Sequence, residues 1–198
     1  MTKILYLGLD PERYPAKVIH YPVIRTEKLP LKKEALSFWP QCTHVIFTSR
    51  TAVLYWKENL SGKTLIAIGP ATGLLLGCES LMPLTPTQEG IIELLQKIDL
   101  RNAFVFLPHS RRSRPHLREF LERQNVRHVA LELYDTVLVQ PDFPISLDEV
   151  DEIVFTSPST VEGFLKIFGK IPDDKKLTCI GGVTEEALFS YRKFQAEL

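Results

Sequence analysis

The chain has no surplus charge of either sign: 24 Lys and Arg are matched by 24 Asp and Glu over 198 residues. Neutrality speaks against nucleic acid or an anionic membrane as the main partner, because both select basic surfaces. It leaves room for a local basic patch. Cysteine is scarce. Cys42, Cys78 and Cys179 stand far apart with no Cys-x-x-Cys pair, so zinc and dithiol signatures are missing and small thiols in a reducing compartment are expected. His109 and His116 have no third ligand nearby in sequence, and no metal site is expected. No apolar run approaches the roughly 18 residues that span a bilayer. The apolar start Ile4–Leu7 is followed too soon by Asp10, Glu12 and Arg13 for a signal peptide, so the cytoplasm is the expected compartment. Gly-x-Gly-x-x-Gly and the P-loop are absent. So are a Gly-x-Ser-x-Gly elbow and any histidine spaced for a hydrolytic triad.

What the chain does contain is a repeat. Ile46-Phe47-Thr48-Ser49-Arg50-Thr51-Ala52-Val53 returns as Val154-Phe155-Thr156-Ser157-Pro158-Ser159-Thr160-Val161. Leu65-Ile66-Ala67-Ile68-Gly69-Pro70-Ala71-Thr72 returns as Leu177-Thr178-Cys179-Ile180-Gly181-Gly182-Val183-Thr184. The spacing is too long for a solenoid unit and indicates two similar α/β domains. Two such domains commonly face each other across a cleft where small molecules bind.

Short apolar runs alternate with helical patterns, which predicts parallel sheets with crossover helices. Strands are expected at Ile4–Leu7, His44–Phe47, Leu65–Ile68, Ala103–Leu107, Val129–Val139, Ile153–Phe155 and Leu177–Ile180. Helices are expected at Lys32–Phe38, Thr51–Glu58, Ala71–Gly77, Glu89–Lys97, from Ser113 onward, Val161–Phe168 and Glu185–Gln195. Thr85-Pro86-Thr87-Gln88 reads as a capping box with Thr85 at the N-cap. The second repeat copy begins near Ile153, with too little chain after it for a whole domain, and the first strand is isolated at the other end. Joining them gives one discontinuous domain, residues 1–23 with 140–198, and an inserted domain, residues 28–132. The crossings at 24–27 and 133–139 would pair as a two-stranded β-ladder.

Each Phe-Thr-Ser phrase falls where a parallel strand ends and a helix begins, the edge that faces ligands in such sheets. Thr48, Ser49 and Thr51, and Thr156, Ser157 and Ser159, place hydroxyls beside unpaired helix-start N–H groups. Together these suit carboxylates or phosphates; each hydroxyl could equally serve only to cap its helix. Gly69 and Thr72, and Gly181, Gly182 and Thr184, recur at the adjoining turns, where glycine allows close approach of backbone. Ser110 and Arg111, in Pro108-His109-Ser110-Arg111-Arg112-Ser113-Arg114, bring hydroxyl and guanidinium groups for carboxylate pairing. A solvated basic turn is the alternative.

These phrases resemble uroporphyrinogen-III synthases. The resemblance rests on Ile46–Ser49, Ile68–Thr72, Tyr134-Asp135-Thr136-Val137, Phe155–Ser159 and Ile180–Thr184, with Thr87-Gln88-Glu89-Gly90-Ile91 matching in part. It implies two α/β domains joined by a β-ladder. It also implies a cofactor-independent lyase reaction of porphyrin biosynthesis by a monomer. The linear tetrapyrrole hydroxymethylbilane loses water, its terminal ring is inverted through a spiro intermediate, and the macrocycle closes as uroporphyrinogen III. Tyr134 matches the family's tyrosine and would donate a proton or hydrogen bond. Thr48, Ser49, Gly69, Thr72, Ser110, Arg111, Thr156, Ser157, Ser159, Gly181, Gly182 and Thr184 would hold the substrate. The shortness of Leu7–Val18, and an end at Leu198 before a further strand and helix, would leave the discontinuous domain about three strands. The rival readings are a non-catalytic tetrapyrrole binder and a sugar-nucleotide transferase, for which no ribose or diphosphate contact stands out.

Overall fold

The structure is a computed structural model that describes residues 2–196. It is α/β with parallel sheets. The chain divides into two compact units, Met1–Arg25 with Thr136–Leu198 and Thr26–Asp135.

The Thr26–Asp135 unit holds most of a five-stranded sheet. Its strands are β3 (Ile24–Lys28), β4 (His44–Phe47), β5 (Thr64–Ala67), β6 (Phe104–Ser110) and β7 (Arg127–Leu138), in the order β3-β7-β6-β4-β5. The unit boundaries fall inside β3 and β7. Pairings of β4 with β5 and β6, and of β6 with β7, are parallel. Helices α1 (Lys33–Ser37), α2 (Arg50–Tyr55), α3 (Pro70–Leu76), α4 (Gln88–Leu95) and α5 (His116–Arg123) connect the strands.

Side-chain alternation assigns the two faces. Val45, Phe47, Leu65, Phe104 and Phe106 enter one core with Trp39, Ala52, Trp56 and Tyr134. Ile46, Ile66, Val105 and Leu107 enter the other with Ile91, Leu95, Leu117 and Phe120. Successive strand residues point to opposite faces, and a parallel sheet needs both faces covered.

The other unit carries β1 (Ile4–Tyr6), β2 (Ile19–His20), β8 (Glu152–Phe155) and β9 (Lys176–Cys179), ordered β2-β1-β8-β9 and parallel throughout. Helices α6 (Pro158–Phe168) and α7 (Gly182–Ala196) cover one face over Leu5, Leu7, Ile153, Phe155, Val161, Phe164 and Leu188. The opposite face, Ile4, Tyr6 and Val154, is covered by Tyr14 and Val18 from the short connection, which forms only a 3-10 turn at Pro11–Arg13. Phe155 and Phe164 are fully buried, each worth about 1.5–3 kcal/mol of transfer free energy.

Four sequence expectations are corrected. This sheet has four strands among the described residues rather than about three, because Ile19–His20 pairs with β1. Helix α2 stops at Tyr55 and does not reach Glu58. Trp56 leaves the helix to pack its buried ring on Trp39 and Phe106, each with centroids 4.7 Å apart. The N-cap of α4 is Thr87, whose hydroxyl accepts from Gly90 N–H, and not Thr85. Ser113 does not open α5; Pro115 is its N-cap and the helix begins at His116.

Gly163 in α6 marks where this helix meets the chain leaving β2. A Cβ there would lie 2.8 Å from a Val23 methyl and 2.9 Å from the Val23 carbonyl oxygen. Gly163→Ala should therefore destabilise the protein by about 1–3 kcal/mol in urea unfolding, although alanine is the better helix former by about 1 kcal/mol. A stability gain would mean that α6 has room to shift.

Candidate active site

In the Thr26–Asp135 unit the site begins where β4 gives way to α2. Ser49 is extended (φ −161°, ψ 155°) and caps the helix, its Oγ accepting from Ala52 N–H at 3.0 Å. The same Oγ lies 2.8 Å from the hydroxyl of Tyr134 on β7. Tyr134 is buried, and its ring meets Tyr55 edge-on at 5.9 Å. Burial pushes the Tyr134 phenol up from its ordinary value, while the hydroxyls of Ser49, Thr51 and Ser110 ease its ionisation. A tyrosine so held is protonated near neutral pH and suited to donating a proton.

The register between β6 and β7 slips at this point. His109 lies opposite Glu132, but Ser110 lies opposite Tyr134, skipping Leu133. Such irregularities re-aim side chains beside functional sites. The slip is held from two sides. His109 Nδ1 donates to the Ser110 carbonyl at 2.8 Å, and Arg111 N–H donates to the Tyr134 carbonyl at 2.8 Å. Desolvation lowers the pKa of His109, which favours the neutral ring.

The basic turn is internally paired. Arg111 reaches Glu132 at 3.2 Å and Asp135 at 3.3 Å, and Arg112 lies 3.8 Å from Asp135. Arg114 grips Glu89 with two bonds of 2.8 and 3.0 Å. A substrate carboxylate on Arg111 would have to compete with these partners. Thr48, at the end of β4, lines a cavity of about 20 Å³ with Gln88, His109, Ser113 and Arg118, space for about one water.

Gly69 caps α3, and a Cβ there would come within 2.9 Å of the Pro86 ring. The residue is glycine because the chain entering α4 lies against it. Thr72, in the first turn of α3, is buried to 4% exposure.

The second repeat copy is wired differently. Thr156 and Ser157 follow β8, and both donate their backbone N–H to Thr160 Oγ1, at 3.0 and 3.2 Å. Thr160 in turn donates to the Ser157 carbonyl at 2.7 Å. Ser157 Oγ is buried without a partner. Ser159 lies half-buried in α6. Gly181 adopts φ +90° and Gly182 starts α7 with open space where a Cβ would be. Thr184 is buried and donates to the Ile180 carbonyl at 3.2 Å.

Sequence reasoning singled out Ser49, Ser110 and Tyr134 separately; the structure brings them together. It passed over Gly8, His20, Thr160 and the pinning role of His109. A Cβ on Gly8 would lie 2.5 Å from Thr156 Oγ1, and His20 Nε2 donates to the Gly8 carbonyl at 2.8 Å. The available signals were a glycine ending the first strand and a threonine where the first repeat copy has Ala52. Among the described residues, no three His, Cys, Asp or Glu side chains cluster for a metal ion, and no helix is long and apolar enough to cross a membrane.

Comparison with known proteins adds three findings. The family model described as "Uroporphyrinogen-III synthase HemD" matches residues 10–193. A Methanothermobacter thermautotrophicus protein named "Putative uroporphyrinogen-III synthase" is 33% identical over 144 residues. That match covers 63% of this chain and 57% of the relative, so the chain spans under two thirds of the curated relative's length. Two solved structures share the fold. One is a mutant uroporphyrinogen III synthase from the extremely thermophilic bacterium Thermus thermophilus, with a TM-score of 0.64, 17% identity and coverage of 97% of this chain and 90% of that one. The other is the uroporphyrinogen-III synthetase of Helicobacter pylori, with a TM-score of 0.63, 19% identity and coverage of 99% and 90%.

The Glu89 cluster gives a pH prediction. The Arg114 hydrogen bonds hold the Glu89 carboxyl at about 2, against an ordinary 4.5, with further help from His116. A carboxylate whose folded pKa is depressed stabilises the fold above the unfolded pKa and loses that contribution as pH falls through the folded one. Urea midpoints of the native chain should therefore fall more steeply than those of Glu89→Gln between about pH 4.5 and about pH 2. Parallel curves would show that Glu89 does not couple to folding.

Proposed function

Because the chain belongs to the uroporphyrinogen-III synthase family, we propose that it closes hydroxymethylbilane to uroporphyrinogen III. The structural observation that supports this reading most directly is the buried Tyr134 phenol hydrogen-bonded to the helix-capping Ser49. The substrate must lose a poor leaving group, hydroxide, from the methylene on its terminal ring. Tyr134, kept protonated by burial, supplies the proton, so the group departs as water and leaves an electrophilic azafulvene. The far end of the chain is attacked at its substituted position, and the spiro intermediate reopens with that ring inverted before the macrocycle closes.

Most of the acceleration comes from holding two ends of a flexible chain in one geometry, which is worth several orders of magnitude in effective concentration. Helix-start N–H groups and hydroxyls suit the acetate and propionate arms. Thr48, Thr72, Ser110, Arg111, Thr156, Ser157, Ser159 and Thr184, with Gly69 at the start of α3 and with Gly181 and Gly182 giving close backbone approach, are the proposed binding set. Thr184 donates to Ile180 and would have to share its proton. We also propose that residues 28–132 form an inserted domain, with 24–27 and 133–139 as the two-stranded linker, and that the protein acts as a cytoplasmic monomer.

Incubation with freshly prepared hydroxymethylbilane tests the reading. Accelerated formation of the type III isomer is expected; only the spontaneous type I isomer would reduce the protein to a tetrapyrrole binder. Tyr134→Phe should lower turnover by roughly a hundredfold, at the lower end of the range for a general acid, in an assay that quantifies isomer III. An unchanged rate would remove Tyr134 from the chemistry.

A further inference from the structure

Ser49 has one proton and few places to put it. Its Oγ already accepts from Ala52 N–H at 3.0 Å, and its other neighbour within hydrogen-bond distance is the Tyr134 hydroxyl at 2.8 Å. A serine hydroxyl offers one donor and two acceptor sites. Were Tyr134 the donor in this pair, the Ser49 proton would be left to solvent from a half-buried position, a weaker arrangement than a protein acceptor at 2.8 Å. The arrangement that uses every group runs from Ala52 N–H to Ser49 Oγ, and from the Ser49 proton to the Tyr134 oxygen.

We propose that Ser49 is the positioning residue for Tyr134: it donates to the phenolic oxygen and thereby leaves the phenolic proton free for transfer to a bound ligand. This assigns Ser49 to the acid itself rather than to a substrate carboxylate, and it rests on the reading of Tyr134 as a proton donor. The donated bond also stabilises the phenolate left after transfer, because a hydrogen bond to the charged form favours it.

The surroundings are built to hold this direction. The slip between β6 and β7 puts Ser110 opposite Tyr134, and His109 pins the Ser110 carbonyl. Tyr55 on α2 faces the phenol edge-on, and its own hydroxyl donates to the Thr26 carbonyl at 3.2 Å. The nearby guanidinium of Arg111 is matched by Glu132 and Asp135, so no unmatched ionic group of the turn dictates the phenol's state. The second repeat copy lacks the device: Thr160 replaces Ala52, takes over the local N–H groups, and leaves Ser157 Oγ unpaired.

The test uses the full chain with tyrosines labelled at Cζ, the Tyr134 resonance being assigned through Tyr134→Phe. Ser49→Ala removes both cap and donor. Ser49→Gly removes the donor but costs only a few tenths of a kcal/mol as a cap, which guards against a folding defect. Ser49→Thr retains the hydroxyl. In Ser49→Ala and Ser49→Gly the ratio of ionised to protonated Tyr134, at the highest pH the fold survives, should fall about threefold to tenfold, the factor one neutral hydrogen bond supplies. Ser49→Thr should restore it. Turnover should fall by a similar factor with KM nearly unchanged. An unaltered Tyr134 titration in the two hydroxyl-free variants overturns the proposal even if activity drops, since cap loss would then explain the drop. The titration does not depend on what the protein catalyses. A chain without synthase activity but with the expected shift keeps the Ser49–Tyr134 assignment and refutes the reaction instead.

Discussion

A parallel strand cannot turn back on itself; it must pass its chain to a crossover, and the first turn of the helix that follows carries N–H groups without intrahelical partners. That constraint organises this protein. At the ends of β4, β5 and β8, and again where β9 leads into α7, the chain places serine, threonine or glycine at the turn. Those residues solve a folding problem first. They also leave polar groups gathered at one edge of each sheet.

The two repeat copies solve the same problem by different wiring. In the first, Ser49 satisfies Ala52 N–H and extends to Tyr134. In the second, Thr160 gathers the N–H groups of Thr156 and Ser157. Alanine stands at 52 where threonine stands at 160, and only the threonine can take up the local N–H groups through its side chain. Duplicated sequence therefore yields two differently bonded edges, one joined to a tyrosine hydroxyl and the other closed on its own helix start. Gly8 belongs to the latter: it brings the end of β1 against Thr156.

The basic turn shows how local composition misleads. Pro108–Arg114 looks like a free cationic patch in the sequence, yet Arg111, Arg112 and Arg114 each lie beside carboxylates from Glu132, Asp135 and Glu89. Those partners come from β7 and α4, far from the turn along the chain, so no window of sequence reveals them.

What the sequence by itself determined was the alternation of strand and helix, the parallel sheets and the motif positions, because these follow from short-range periodicity and from residues such as glycine and proline that punctuate the backbone locally. His44–Phe47 forms its strand as expected, and the two Phe-Thr-Ser phrases lie at the ends of β4 and β8. Only the tertiary structure decided that α2 stops at Tyr55, since Trp56 is drawn into an aromatic core supplied by Trp39 and Phe106. Only it decided that Ser49, Ser110 and Tyr134 meet, since a one-residue slip between two strands chooses which side chain faces which. Hydrogen-bond direction and partner choice depend on groups far apart along the chain, and local propensity carries no information about them.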